Sequence, residues 1–180
     1  MDNFIFLGNY NTEHWMHKLN TLSGEDWNVY TFRQDTYKVH NQTKTIPILY
    51  DETYSVFKGK KSKFYDIFAN DVDELNELYN SILGMGNIIR IEIVSMPAFS
   101  EVFLHKDRGG SLETNNRTHI PLQTSKGCIF TVGEDSKHLK VGEIWEINNG
   151  GEKHGVINDS NVERIHMIVD FKKDNINKLI

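Results

Sequence analysis

From Asn87 onward the chain breaks into short runs in which apolar and polar residues alternate. NIIRIEIV sets Ile89, Ile91 and Ile93 against Arg90 and Glu92. RTHIPL, GCIFTV, KHLKV, EIWEIN, KHGVIN and RIHMIVDF follow, separated by turns rich in Gly, Asn, Asp and Ser. Period-two alternation gives each strand one apolar and one polar face. Strands this short, spaced this regularly and punctuated by turn residues, specify a sandwich or barrel. A jelly roll of two facing sheets is the economical solution, because it buries one face of every strand and leaves a mouth at one end.

The first half reads differently. The spacing of Trp15, Leu19 and Leu22 predicts a short helix within Thr12 to Leu22. Leu75, Leu78, Tyr79 and Ile82 predict a stronger one over Asp71 to Leu83, with Asp71 as its cap. Between them TYKVHNQTKTIPILY reads as extended chain, and Pro47 argues for an edge or a strand end. The whole is expected to be one domain: residues 1–86 as helices and outer strands, 87–171 as the jelly-roll core, and 172–180 as a tail. At 180 residues it is long enough to bury a core without staples.

A single cysteine, Cys128, excludes an internal disulfide and suits a reducing compartment. The apolar run FIFL is too short for a signal peptide or a membrane span. A cytoplasmic, intracellular protein without a membrane partner is therefore expected. The net charge of -5 is modest. The only basic cluster, KGKK with Lys63 behind it, reads as a solvated loop or the rim of a lid, which sets nucleic acid aside as a partner.

The stretch VFLHKDRGG ends a strand run at His105 and places Asp107 two residues on. In extended chain such a pair points to one face, so an imidazole nitrogen and a carboxylate oxygen aim at one point. His154, in GGEKHGVIN, adds a second imidazole. Two histidines and one carboxylate form the facial set that holds Fe(II) and leaves its other positions open. In RIHMIVDF, Arg164, His166 and Ile168 face one way, while Ile165, Met167, Val169 and Phe171 face the other. The apolar set packs against helices, so Arg164 points into the lumen. An arginine there is costly unless an anion meets it, and its planar fork suits a carboxylate. Arg117 and His119 share a face in the same way; Arg117 either meets such an anion or pairs with an internal acid such as Glu143 or Glu146.

The ordered blocks HKDRGG, NNRTHIPL, VGEIWEINN, KHGVINDSN and ERIHMIVDF resemble the aspartyl/asparaginyl β-hydroxylases, a family of Fe(II)- and 2-oxoglutarate-dependent dioxygenases that includes free-proline hydroxylases. The resemblance spans roughly Ile88 to Phe171. It implies a mainly β, cupin-like double-stranded β-helix with flanking helices, in which His105, Asp107 and His154 hold Fe(II). It further implies that Arg164 binds a 2-oxoglutarate carboxylate, that Arg117 and His119 bind its other end or orient it, and that O2 is the oxidant. The implied activity is hydroxylation of an amino-acid side chain, either free, as in proline, or as Asp, Asn or Pro in a peptide or protein. The alternative is a cupin-like protein that binds a metal or small molecule without dioxygenase activity.

Several other residues carry a functional and a plain reading side by side. Asn158 and His166 are either partners of the metal ligands or a turn former and a core histidine. His14 and His17 form either a metal pair or a solvated helix face. Trp145 and Cys128 read as core. Arg108 and the stretch from His40 to Tyr50 are where a substrate's charged ends would bind. The substrate, the carbon attacked and the oligomeric state have no signature in the chain.

Overall fold

The computed structural model describes residues 2–50, 59–110, 112 and 115–174. Its strands are β1 (Phe4–Asn9), β2 (Lys44–Tyr50), β3 (Lys60–Lys61), β4 (Gly86–Met96), β5 (Ser100–His105), β6 (Asn116–Gln123), β7 (Cys128–Val132), β8 (Asp135–Lys137), β9 (Glu143–Ile147), β10 (His154–Asn158) and β11 (Arg164–Lys173). Helices α1 (Glu13–Leu19), α2 (Phe32–Thr36) and α3 (Tyr65–Leu83) come from the first half. A seven-stranded sheet, β1-β9-β6-β11-β4-β2-β3, faces a four-stranded sheet, β5-β10-β7-β8. Their strands pair antiparallel, and the fold is a mainly β, cupin-like jelly roll.

Two apolar cores follow from strand alternation. On the outer face of the large sheet, Ile91, Ile93, Ile120, Ile165, Met167, Val169 and Phe171 pack against Trp15, Phe68, Leu75 and Tyr79 of the helices. Between the sheets, Met96, Val102, Phe130, Val132, Ile147 and Val156 form a smaller core. The helix-side core contains one buried hydroxyl pair, Tyr79 with Thr118, each satisfying the other.

Some elements differ from the sequence reading for physical reasons. Helix α3 begins at Tyr65, so Asp71 is an interior residue and not a cap. It is buried and ion-paired to Lys18 of α1, while Phe68 in the added turns stacks on Trp15 at 5.0 Å. Tertiary packing lengthened this helix beyond what capping chemistry suggested. In β4 a register shift opposite Asp170 and Phe171 puts Ile88, not Ile89, into the helix-side core. Of KHLKV only Lys137 lies in a strand. Gly133, at φ 59, turns the chain tightly into the short β8, and Leu139 beyond it fills the inter-sheet core.

The expected extended run from Thr36 is extended only from Lys44, because a 3-10 turn occupies Lys38–His40. Pro47 lies where β2 pairs with β4 alone, since β3 meets only Leu49 and Tyr50. FIFL forms part of β1 at the other edge of the large sheet. Within KGKK, Lys58 lies outside the described residues. Lys60 and Lys61 form β3, with Lys61 over the Tyr65 ring at 3.9 Å. Among the described residues no helix is long and apolar enough to cross a membrane.

Candidate metal centre

Strand register builds the site. β5 and β10 are antiparallel neighbours in which His105 stands directly opposite His154, with ring centroids 4.5 Å apart. Asp107 follows β5 by two residues. Its Oδ1 lies 3.8 Å from His105 Nε2 and its Oδ2 lies 3.8 Å from His154 Nε2. All three ligand atoms fall within 4.8 Å of one another. His105 Nδ1 bonds the Phe103 carbonyl at 2.8 Å. A carbonyl only accepts, so Nδ1 is the donor and Nε2 is the nitrogen that faces Asp107.

Electrostatics keep the ligands in the forms a metal needs. Burial pulls the His154 pKa down to about 4 against the opposing pull of Asp107, so the ring is neutral at pH 7. Burial alone would raise the Asp107 pKa. The Arg117 guanidinium, with His154 and His105, outweighs it and holds the carboxyl well below its ordinary value. Two imidazoles, that of His154 neutral, and an ionised carboxylate on one side of a cavity fit a divalent metal of the Fe(II) type. Metal-nitrogen bonds of about 2.0 to 2.1 Å are within reach of this spacing.

Arg164 lies in the same cavity, which His105, His119, His154, Val102, Phe130 and Val156 also line. It is buried, with its guanidinium 5.8 Å from the Phe130 ring centroid, and donates to His166 Nδ1 at 2.8 Å. No carboxylate pairs with it among the described residues. Burial, reinforced by Arg33, lowers its pKa to about 9, which leaves it charged at neutral pH. His119 and His166, buried beside cations, are pushed well below their ordinary value and stay neutral.

Arg117 is placed differently from Arg164. Its Nε and one terminal nitrogen donate to Asp170 at 2.7 and 2.8 Å, and the other donates to Asp107. The internal acid is thus Asp170. Glu146 accepts from Asn116 instead, and Glu143 accepts from Trp145 and the Lys140 backbone. Asn158 is bound to the Pro97 and Val162 carbonyls and accepts from Cys128 and Ser160, so it pins a loop away from the ligands. His14 and His17 do not join a cluster of metal-ligating groups among the described residues.

Above the metal centre lies a cleft of about 450 Å³, walled by residues that include Arg33, Lys38, His40, Glu92, Asp107 and Arg108. Arg108 and His40 are the substrate-binding candidates that the sequence offers. Arg33 joins them from outside that set: it reaches in from α2 to bond Glu92 at 3.2 Å and His40 at 3.3 Å. Nothing local in TFRQDT marks it. Asp170 was legible in principle, since it continues the inward face of Arg164, His166 and Ile168.

A sequence model of the aspartyl/asparaginyl β-hydroxylases matches residues 6–174. The chain belongs to this family. An L-proline cis-4-hydroxylase from Rhizobium meliloti (strain 1021) is 29% identical over 98 residues, which is 54% of this chain and 35% of that one. The match therefore spans about a third of the length of this curated relative. Among solved structures, an oxidoreductase of the 2OG-Fe(II) oxygenase family from Burkholderia pseudomallei superposes with a TM-score of 0.58. It is 15% identical, over 74% of this chain and 67% of that one. The viral collagen prolyl hydroxylase of Paramecium Bursaria Chlorella virus-1, solved with 2OG, gives a TM-score of 0.57 at 8% identity, over 96% and 97% of the two chains. At these identities the likeness to solved structures is one of fold, and it matches the jelly roll of this family member.

Proposed function

We propose that the protein is an Fe(II)- and 2-oxoglutarate-dependent dioxygenase that hydroxylates an amino-acid side chain, free as in proline or as Asp, Asn or Pro within a peptide or protein. The observation that carries this reading is the pairing, in one cavity, of a two-histidine, one-carboxylate cluster with a buried arginine that no carboxylate meets among the described residues. A metal alone would not require Arg164, and a buried anion site alone would not require the triad. When bound, Fe(II) and 2-oxoglutarate supply the chemistry: O2 is reduced as the co-substrate loses CO2 to become succinate, and one oxygen atom enters a C–H bond.

The protein's own residues bind, orient and exclude water. His105 Nε2, His154 Nε2 and Asp107 would hold the metal. Arg164 offers its planar fork to the far carboxylate of 2-oxoglutarate, and His119 lines the space between. Val102, Phe130 and Val156 make that space apolar, which strengthens the ionic contact. The substrate enters through the cleft, where Arg108 is available to a carboxylate and His40 to a hydrogen bond, while Arg33 holds His40 and Glu92 in place. The test is a screen of free amino acids and of Asp-, Asn- and Pro-containing peptides for succinate release with Fe(II), 2-oxoglutarate and O2. Substrate-dependent succinate supports the reading. Succinate formation with no member of the screen, from protein that binds Fe(II), favours a cupin-like binding protein.

A further inference from the structure

Beneath the metal centre, three neighbouring strands each contribute one residue to a row. Asp170 of β11 stands directly opposite Arg90 of β4 on one side and Arg117 of β6 on the other. Asp170 accepts from Arg90 at 2.6 Å and from two nitrogens of Arg117 at 2.7 and 2.8 Å. The third nitrogen of Arg117 donates to Asp107 Oδ2. Arg90, Asp170 and Arg117 are all buried.

We infer that Arg90, Asp170 and Arg117 form a relay that positions the metal ligand Asp107, so that Arg117 acts on the metal through this carboxylate and is not a co-substrate anchor. The inference rests on the reading of His105, Asp107 and His154 as a metal site. Asp107 lies beyond the end of β5, in chain without regular structure, so no ladder fixes its side chain. Arg117 supplies the missing constraint. By holding Oδ2 it fixes the plane of the carboxylate, with Oδ1 3.8 Å from His105 Nε2 and Oδ2 3.8 Å from His154 Nε2.

Asp170 is needed for this arrangement. Without it Arg90 and Arg117 would face each other as buried like charges, and Arg117 would lean on Asp107, drawing it away from the metal. Burial alone would lower the Arg117 pKa, but Asp170 and Asp107 together raise it, so the fork stays charged. A guanidinium can bridge two carboxylates in one plane, whereas an ammonium cannot. Every donor nitrogen of Arg117 therefore has an acid to meet, which distinguishes it from Arg164.

The test is Mn(II) affinity without 2-oxoglutarate, followed by electron paramagnetic resonance of the free ion, with circular dichroism as the control for folding. Arg117→Lys keeps the charge and loses the fork, so it reports geometry alone. It is expected to weaken Mn(II) binding by about 10- to 100-fold, the usual consequence of removing a ligand's supporting partner, and Asp170→Asn is expected to do the same. In an Asp107→Ala background, Arg117→Lys should add no further loss, since the relay would have nothing to hold. Should Asp170→Asn fail to fold, Arg117→Lys and its cycle with Asp107→Ala decide alone.

Wild-type Mn(II) affinity in Arg117→Lys overturns the relay. So does an equal further loss in the Asp107→Ala background, or unchanged Mn(II) affinity with weakened 2-oxoglutarate binding, which would make Arg117 an anchor. A wild-type protein that binds no Mn(II) overturns the metal site itself, a separate failure.

Discussion

The two faces of the large sheet are built from the same strands and could hardly differ more. On β11, Ile165, Met167, Val169 and Phe171 enter the helix-side core, while Arg164, His166 and Asp170, on the alternate face, meet charges and imidazoles. β4 repeats the division, with Ile91 and Ile93 outward and Arg90 and Glu92 inward. The apolar face gains from burial and holds the fold together. The polar face carries desolvation costs that only pairing or a ligand offsets. Stability and function are thus carried by alternate residues of one strand, and substitutions on the two faces should separate them.

The largest effect on stability should come from the apolar face. Phe171, fully buried against Tyr79, should cost about 3 to 5 kcal/mol on truncation to alanine. Urea denaturation measures this, and the fraction that stays folded should bind metal as the wild type does. A Phe171→Ala protein of normal stability would break the division.

Next comes Arg164. Arg164→Ala removes a buried, hydrogen-bonded charge partner for the co-substrate, an interaction worth roughly 2 to 5 kcal/mol. The 2-oxoglutarate dissociation constant should therefore rise by well over tenfold, a decade being about 1.4 kcal/mol. Fe(II) affinity should stay nearly constant. Stability without ligand should not fall, because the charge removed has no carboxylate partner among the described residues. Titrations of both ligands, with melting curves, check all three outcomes.

The three candidate ligands should be unequal. His105→Ala removes a nitrogen ligand with its tautomer fixed by Phe103, whereas water can fill the position left by Asp107→Ala. Fe(II) affinity should fall in both and further in His105→Ala. Full affinity in Asp107→Ala would exclude that carboxylate as a ligand.

The smallest effect is on pH dependence. His119 and His166 have folded-state pKa values well below their ordinary value of 6.5. Above that value folded and unfolded chains both carry neutral rings, and their contribution to stability is fully present. As pH falls below it, the unfolded chain takes up protons that the folded chain refuses, so stability declines toward the depressed folded pKa. Each ring should contribute roughly 1 kcal/mol of loss per pH unit. Urea midpoints between about pH 7.5 and 5.5 should fall, and His166→Gln should flatten the slope.

Local pattern carried much of this architecture and part of the convergence of His105, Asp107 and His154. Strand alternation exposed both faces of β11, and the short spacing from His105 to Asp107 marked a same-side pair. What stayed hidden depends on register and on tertiary approach. That Arg117 would meet Asp170 and not Glu146 follows from which strand lies beside β6, a fact that no single strand contains. The bulge in β4 moved Ile88 into the core in place of Ile89, because one unpaired residue inverts every later side chain. Arg33 reaches the cleft from a five-residue helix whose packing no local signal foretells. Asp71 has the composition of a cap, but Lys18, distant in sequence, made it an interior ion-pair partner.

The most direct test of the central claim is the anaerobic absorption of the protein with Fe(II) and 2-oxoglutarate, with no substrate present. If His105, Asp107 and His154 hold the metal and Arg164 holds the far carboxylate of a chelating co-substrate, a metal-to-co-substrate band appears in the wild type. It should vanish in His154→Ala and require much more 2-oxoglutarate in Arg164→Ala. A wild-type protein that binds Fe(II) tightly yet shows no such band at saturating 2-oxoglutarate would contradict the account.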